Sequence, residues 1–358
     1  MKEKKHNFCA GPSTLPQEVF EQLSKAVINY NDTGLSILET SHRSDSFLEI
    51  LHKTQDLVKD LLQISDDYSV LFLHGGASLE FLLVPYNLMK IGGTGAYLDT
   101  GRWSSKAIHE ANILGNAKIV ASSKDKNYNY IPTNYHVPTD ADYFHCTTNN
   151  TIYGTQINEF PDIEIPLVAD MSSDIFSRQM DFNKFDLIYA GAQKNVGTAG
   201  CALVVVKNSI LGKTDRKIPT LLDYQKHIDN GSLSNTPTVF AIYTAYLNLT
   251  WLKNKGGIQG IEVENNRKAS FLYEEIDRNP FFEGTARTED RSKMNVTFNL
   301  KNTDKENLFQ ELCDDAGISG IVGHRSAGGY RASIYNAMPF ESIEILVDTL
   351  RKFEKKLN

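Results

Sequence analysis

A lysine set among small residues is the first place in this sequence where chemistry could reside. In "YAGAQKNVGTAG", residues 189–200, Lys194 follows the apolar run "FDLIYAGAQK" and precedes "CALVVVK". Most lysines are solvated surface charges. One placed between two strand-like runs is costly to bury unless its charge is paired or lost. A Schiff base with an aldehyde removes that charge, and the sequence can be searched for what such a partner would require.

Pyridoxal phosphate is the commonest aldehyde cofactor. It needs an acid at its pyridine nitrogen, a cradle for its phosphate, a group stacked on its ring and a donor to its ring oxygen. Asp170 ends the apolar run "IPLVAD", where a carboxylate enters the crevice at the carboxyl ends of sheet strands; taken alone it reads equally well as a helix cap or turn residue. "FLHGGASLEF" passes from a strand through Gly75 and Gly76 to Ala77 and Ser78 at a helix start, offering backbone N–H groups to an anion. It is neither a Walker A loop nor a GxGxxG fingerprint. Trp103, after "YLDTGR", has a face broad enough for a pyridine ring, and Thr151 in "TTNNTIYG" is a hydroxyl donor. Alone, the tryptophan reads as core and the threonine as a turn residue. Together these candidates fall in chain order at the ends of successive strand-like runs, with the lysine last.

The elements that must position them are legible as pattern. "YSVLFLHG", "GTGAYLDTG", "ADYFHCTTN", "IPLVADMS", "FDLIYAG" and "CALVVVK" read as strands, and residues 78–90 and 103–114 as helices between some of them. Such alternation predicts a doubly wound α/β sheet. "PQEVFEQLSKAVINY" places Pro16 in a first helical turn, with Val19, Phe20, Leu23 and Val27 at helical spacing. Two long helical patterns meet at "KNKGG", a hinge near residue 256. A tail of about a hundred residues then reads as a smaller α+β lobe. The expected division is 1–255 for a large cofactor-binding domain and 256–358 for a small C-terminal one.

Composition bounds the rest. The 358 residues are 41% apolar and 23% charged with net charge −7, a soluble globular profile without the basic footprint of a nucleic-acid binder. "MKEKKHN" is not followed by the apolar core of a signal peptide. Cys9, Cys146, Cys201 and Cys313 lack CxxC spacing, so neither a zinc knuckle nor a redox dithiol is predicted, and no metal is called for. A reducing cytoplasm is the default. Sequons at Asn149 and Asn248 read as chance, and Cys313, inside "ENLFQELCDDAG", as a buried structural thiol.

"NFCAGPSTLP", "SHRS", "HGGAS", "GRWS", "NNTIYGTQ", "ADMSSDIFSR", "YAGAQKNVGTAG", "NTP" and "GHRSAGGYRASIYNAMP" span essentially the whole chain. In these stretches it closely resembles the phosphoserine aminotransferases, pyridoxal-phosphate enzymes of the class V aminotransferase family. The resemblance implies the aspartate-aminotransferase-like fold (fold type I): a mixed, mostly parallel doubly wound sheet in the large domain, with a smaller C-terminal α+β domain. It implies reversible ping-pong transamination between L-glutamate and 3-phosphooxypyruvate, giving 2-oxoglutarate and O-phospho-L-serine, in cytoplasmic serine biosynthesis. It allows 4-phosphohydroxythreonine as a second substrate. Residue by residue, it implies that Lys194 carries the cofactor and acts as base. Asp170 pairs with the pyridine nitrogen, Trp103 stacks on the ring and Thr151 donates to the ring oxygen. Gly76, Ala77, Ser78 and Gln193 hold the phosphate, joined by Asn235 and Thr236 of a neighbouring subunit in an obligate homodimer. Arg331 takes the substrate α-carboxylate. His42 and Arg43 take the distal anion, with His324 and Arg325 from the partner chain. An arginine that some relatives carry after the paired glycines is missing here. Other aminotransferases of this fold, such as those acting on alanine and glyoxylate, leave two His-Arg pairs unexplained, and a cysteine desulfurase would need a mobile reactive cysteine.

Overall fold

The computed structural model describes residues 5–358; Met1–Lys4, the start of the segment read above as no signal peptide, lie outside the described residues. Seven apolar runs form one sheet: β1 (Tyr68–His74), β2 (Thr94–Asp99), β3 (Asn116–Ser122), β4 (Tyr143–Thr147), β5 (Leu167–Asp170), β6 (Leu187–Gly191) and β7 (Cys201–Lys207). Their spatial order is β1-β7-β6-β5-β4-β2-β3. β2 to β6 pair in parallel, and β7 runs antiparallel to both its neighbours.

Alternation along each strand feeds two helical layers. Val70, Phe72, Ala169 and Ile188 pack with the helices Asp45–Leu62 and Val239–Asn254. Leu71, Leu73, Val168 and Tyr189 pack with Ala77–Leu88 and Arg102–Leu114 on the opposite face. This is the doubly wound arrangement expected, and all six strands read from sequence are present. β3 was not foreseen. It is an edge strand whose "NAKIVAS" stays partly exposed, so it lacks the continuous apolar run of the buried strands.

A second core lies in the C-terminal part. The antiparallel strands β8 (Phe282–Gly284), β9 (Asn295–Leu300) and β10 (Tyr330–Ser333) pack with the helices Glu306–Asp315 and Phe340–Leu357. Cys313 is buried there, and burial pushes its thiol up to about 12. The chain's start joins this core too. His6–Asn7 pairs in parallel with Ile318–Ser319, and Phe8 is fully buried in it. Helix Gly257–Arg278 straddles both cores: Ile258 and Ile261 face the first, Ala269, Leu272 and Ile276 the second.

Helix Gln17–Ile28 begins one residue later than its pattern suggested, with Pro16 as the cap. Val19, Leu23 and Ala26 are its buried stripe, while Phe20 and Val27 remain 41% and 37% exposed. The described residues include no helix long and apolar enough to cross a membrane.

Candidate active site

Because β1, β2, β4, β5 and β6 run the same way, the loops leaving their carboxyl ends meet on one side of the sheet. They surround a cavity of about 630 Å³ lined by Gly76, Ala77, Ser78, Trp103, Thr151, Asp170, Gln193 and Lys194, with His324 and Arg331 from the second core. Residues spread over more than 250 positions in sequence therefore face one space.

Lys194 sits in the loop between β6 and β7. That loop is clamped on several sides. Gly197 donates to Ala192 O at 2.6 Å, and Ser13 Oγ donates to Lys194 O at 2.8 Å. Asn248 Nδ2 donates to Asn195 O and Val196 O at 2.8 and 3.1 Å. The Lys194 amine donates to Thr151 Oγ1 at 2.8 Å. Burial lowers its pKa to about 8, against the pull of Asp170 upward and with a further push down from Arg331. Near neutrality a useful fraction of this amine is therefore uncharged.

Asp170 is the last residue of β5 and only 4% exposed. Its Oδ1 accepts both from Ser172 N at 3.0 Å and from Ser172 Oγ at 2.6 Å. Ser172 Oγ in turn accepts from Gly191 N at 3.1 Å, locking the carboxylate to the end of β6. Burial raises the Asp170 pKa, and the Ser172 bonds and the Lys194 charge oppose that. Asp170 is thus both a turn residue and a cavity carboxylate.

The anion cradle is built from backbone. Gly76 caps helix Ala77–Leu88 at φ 62°, ψ −175°, a region essentially reserved for glycine. A Cβ on Gly75 would lie 2.7 Å from Leu79 Cδ2, whereas one on Gly76 would meet nothing within 4 Å. The first glycine closes the turn, and the second leaves open the space an anion would occupy above the helix start.

Trp103 follows Arg102 at the head of helix Arg102–Leu114. Ser104 Oγ, which accepts from Thr100 N and Gly101 N at 3.0 Å each, fixes that turn. The Trp103 Nε1 is buried without a protein partner, and Lys106 Nζ lies 5.0 Å from the ring centroid.

Arg331 lies on β10, opposite Thr297. Its Nε is buried and unpartnered. Burial lowers its pKa below the usual guanidinium value, but it remains a cation near neutrality. His324 also lines the cavity. Ser326 N donates to His324 Nδ1 at 3.1 Å, which leaves Nε2 to carry the ring proton. Burial, then Arg102 and Arg331, lower the His324 pKa.

The remaining predicted residues are placed differently. His324 was expected in a partner's site, yet it lines this chain's own cavity, because the turn closed by Gly323 N to Gly329 O at 2.8 Å returns it beside Arg331. Arg325 is exposed at the tip of that turn and does not line the cavity. His42 and Thr236 line a separate groove of about 440 Å³ that shares only Ala199 with the cavity. Arg43 and Asn235 are exposed outside it. The sequon residues Asn149 and Asn248 are 2% and 4% exposed, which bears out their reading as chance matches.

Sequence reasoning missed the supporting groups. Ser13, Ser172 and Asn248 carry no chemistry of their own and work by fixing Lys194 and Asp170. Asn149 Nδ2 donates to Ser173 Oγ and to Asn295 Oδ1 at 2.8 Å each, and accepts at Oδ1 from Ser292 Oγ at 2.5 Å, tying the cavity floor to β9. Only the place of Ser13, Ser172 and Asn149 inside the quoted motifs, "GPS", "MSS" and "NNT", could have pointed to them, and nothing around Asn248 did.

The donor set fits pyridoxal phosphate: a buried lysine with a depressed pKa, a buried carboxylate, an open glycine cradle, an indole wall and a hydroxyl. An α/β chain with these groups at the strand ends is of the pyridoxal-phosphate enzyme class. The chain belongs to the class V aminotransferase family, whose model matches residues 6–346. It is 61% identical to a phosphoserine aminotransferase of Flavobacterium johnsoniae, over 99% of this chain and 100% of the relative. It is 52% identical to one of Bacteroides thetaiotaomicron, over 98% and 99%. Among solved structures, the phosphoserine aminotransferase of Bacillus circulans subsp. alkalophilus matches at TM-score 0.97 and 41% identity, over 100% of both chains. A second, in which radiation damage of the Schiff base was followed, matches at TM-score 0.96 and 45% identity, over 99% and 100%. The phosphoserine aminotransferases are the branch of the family to which this chain belongs.

Proposed function

We propose that this protein is a pyridoxal-phosphate-dependent phosphoserine aminotransferase. It exchanges an amino group between L-glutamate and 3-phosphooxypyruvate to give 2-oxoglutarate and O-phospho-L-serine, the transamination of serine biosynthesis. The observation that carries the reading is the meeting of Lys194, Asp170 and Arg331 at one cavity in a chain so similar to enzymes of that name.

Bound pyridoxal phosphate supplies an aldehyde to take up the amino group and a ring to disperse the charge left on proton removal. The chain's own residues do the rest. The Gly76–Ser78 amides and the Gln193 side chain would hold its phosphate. Asp170, fixed by Ser172, would pair with the ring nitrogen, and its carboxylate would favour that nitrogen's protonated form. Trp103 would cover the ring and exclude water, and Thr151 Oγ1 would donate to the ring oxygen. Arg331 receives the α-carboxylate common to all four substrates, since its planar fork matches a carboxylate. Lys194 Nζ, in the neutral form that its lowered pKa makes accessible near neutrality, would take the α-proton and later return it.

The distal anion and the remaining phosphate contacts call for a second copy. We read the protein as a homodimer in which the partner's Asn235 and the partner's Thr236 complete the phosphate site. What supports this is the groove holding His42 and Thr236, which is also lined by Leu38, an apolar residue 62% exposed in the single chain. His324 and Arg325 are read as closing on the distal anion together with His42 and Arg43. Residues 1–255 and 256–358 are read as the cofactor and closing domains, with the His6–Phe8 segment an exception that packs into the second core. Four unpaired cysteines support a cytoplasmic place.

The visible spectrum of the purified holoenzyme tests the assignment. Phosphoserine should bleach the yellow Lys194-bound cofactor, and 2-oxoglutarate should restore it. A yellow protein indifferent to phosphoserine would refute the substrate, and a protein that takes up no cofactor would refute Lys194. Solution mass tests the dimer: a monomer that is fully active would overturn it.

A further inference from the structure

A second lysine is buried outside the machinery just described. Lys268 stands midway along helix Gly257–Arg278 and is 2% exposed. No carboxylate forms a salt bridge with it among the described residues. Its ammonium instead donates to three successive backbone carbonyls: Tyr335 O at 2.7 Å, Ile334 O at 3.2 Å and Asn336 O at 3.4 Å. An ammonium has three donors, so the carbonyls saturate it. Consecutive carbonyls of an extended strand alternate in direction. Three that converge on one point mark a segment bent around a cation.

That segment is the exit of β10, the strand that carries Arg331. It also reaches the lysine loop. Asn336 N donates to Asn195 Oδ1 at 3.1 Å, next to Lys194, and Asn336 Nδ2 donates to Phe176 O at 2.9 Å. Tyr335 OH donates to Ala10 O at 2.8 Å, at the cavity wall. One buried cation therefore anchors a stretch linked on one side to Arg331 and on the other to Lys194. The helix that supplies it bridges the two cores.

We propose that Lys268 is a positioning residue for the transamination, whose ammonium folds Ile334–Asn336 and thereby holds Arg331 and the Lys194 loop in register. Burial pushes its pKa down, opposed by Glu264 one turn earlier on the same helix, and the three carbonyl acceptors favour the charged form. Removing the ammonium leaves Ile334 O and Asn336 O without their donor and Tyr335 O with only Met338 N, at 2.9 Å, and groups so deprived seek other partners by moving. Movement of that segment displaces Arg331 and Asn195 together, whereas a purely stabilising lysine would lower the melting temperature and leave the site intact.

The inference rests on the reading of Arg331 and Lys194 given above. The test is hydrogen–deuterium exchange and steady-state kinetics on the wild-type, Lys268→Met and Lys268→Gln holoenzymes. Met keeps the volume without donors, and Gln keeps an N–H₂ group. Lys268→Met should speed exchange at residues 330–336 and 193–196. It should also cut kcat/KM for both glutamate and phosphoserine by about tenfold to a hundredfold, the cost of an ångström-scale misplacement. Lys268→Gln should recover part of both. Unchanged exchange in those segments overturns the proposal, as does unchanged kcat/KM in a folded Met variant of an active enzyme. Should Met fail to fold, Gln decides on the same two readouts. A wild-type enzyme inert to phosphoserine would refute the substrate reading instead, and the exchange result would still decide the role of Lys268.

Discussion

Replacing Arg331 is the sharpest perturbation of the site. Its guanidinium reaches the cavity from β10 with Nε buried and unpartnered, and among the described residues no carboxylate shifts its pKa. A substrate α-carboxylate would supply the missing partner. A fork-to-carboxylate contact makes two charge-assisted hydrogen bonds, each worth about 1.5–3 kcal/mol. Arg331 keeps some exposure to the cavity, so the lower end applies, about 3 kcal/mol in all. Arg331→Ala should therefore lower kcat/KM about 150-fold. Arg331→Lys keeps the charge but loses the fork, and should cost about tenfold. The informative feature is symmetry. Glutamate and phosphoserine share the α-carboxylate and differ in the distal anion, so both should lose the same factor. Steady-state kinetics of the two half-reactions measure this. An Ala variant within about threefold of wild type, or a loss confined to phosphoserine, would refute the placement of the α-carboxylate.

Lys194→Ala should abolish transamination and the phosphoserine-dependent bleaching while leaving the fold intact; any turnover above background in that variant would exclude Lys194 as the base. Cofactor uptake by the apoenzyme should be pH-dependent, because only the neutral amine attacks an aldehyde. With the Lys194 pKa lowered to about 8, the rate should climb through pH 8 and level off above it; an inflection near an ordinary lysine's pKa would contradict the burial argument. Gly76→Ala should cost about 1–3 kcal/mol through backbone strain at φ 62° although its Cβ would meet open space, and should weaken cofactor affinity in equilibrium dialysis. A Gly76→Ala protein with unchanged melting temperature and affinity would show that the cradle tolerates a different turn.

Much of the site was legible because pyridoxal chemistry needs particular residue types and the strands that present them are continuous apolar runs. Lys194, Asp170, Trp103 and Thr151 could be picked out in that way, and the α/β class followed from the alternation. Edge strand β3 escaped because half of it faces solvent. Phe20 and Val27 share the helical spacing of Val19 and Leu23 yet stay 41% and 37% exposed, because spacing alone does not set how deeply a position is covered. The holding roles of Ser13, Ser172, Asn248 and Asn149 were invisible, since bonds such as Ser13 to Lys194 or Asn149 to Asn295 join residues far apart in the chain and leave no local pattern.

The amino-acid sequence by itself determined the inventory: a lysine to be hidden, a carboxylate to be kept ionised, glycines for a turn closed to other residues, and arginines for anions. It also determined which runs must be strands, because period and apolarity are local properties. Only the tertiary structure decided which of these groups share one space. It brought His324 to the cavity beside Arg331 and left His42, Arg43, Asn235, Thr236 and Arg325 outside it. It also converted Lys268, one charge among many in a helix, into the buried anchor of the strand that carries Arg331. Burial and the direction of a carbonyl depend on what the rest of the chain packs against a residue, and that is fixed only when distant segments meet.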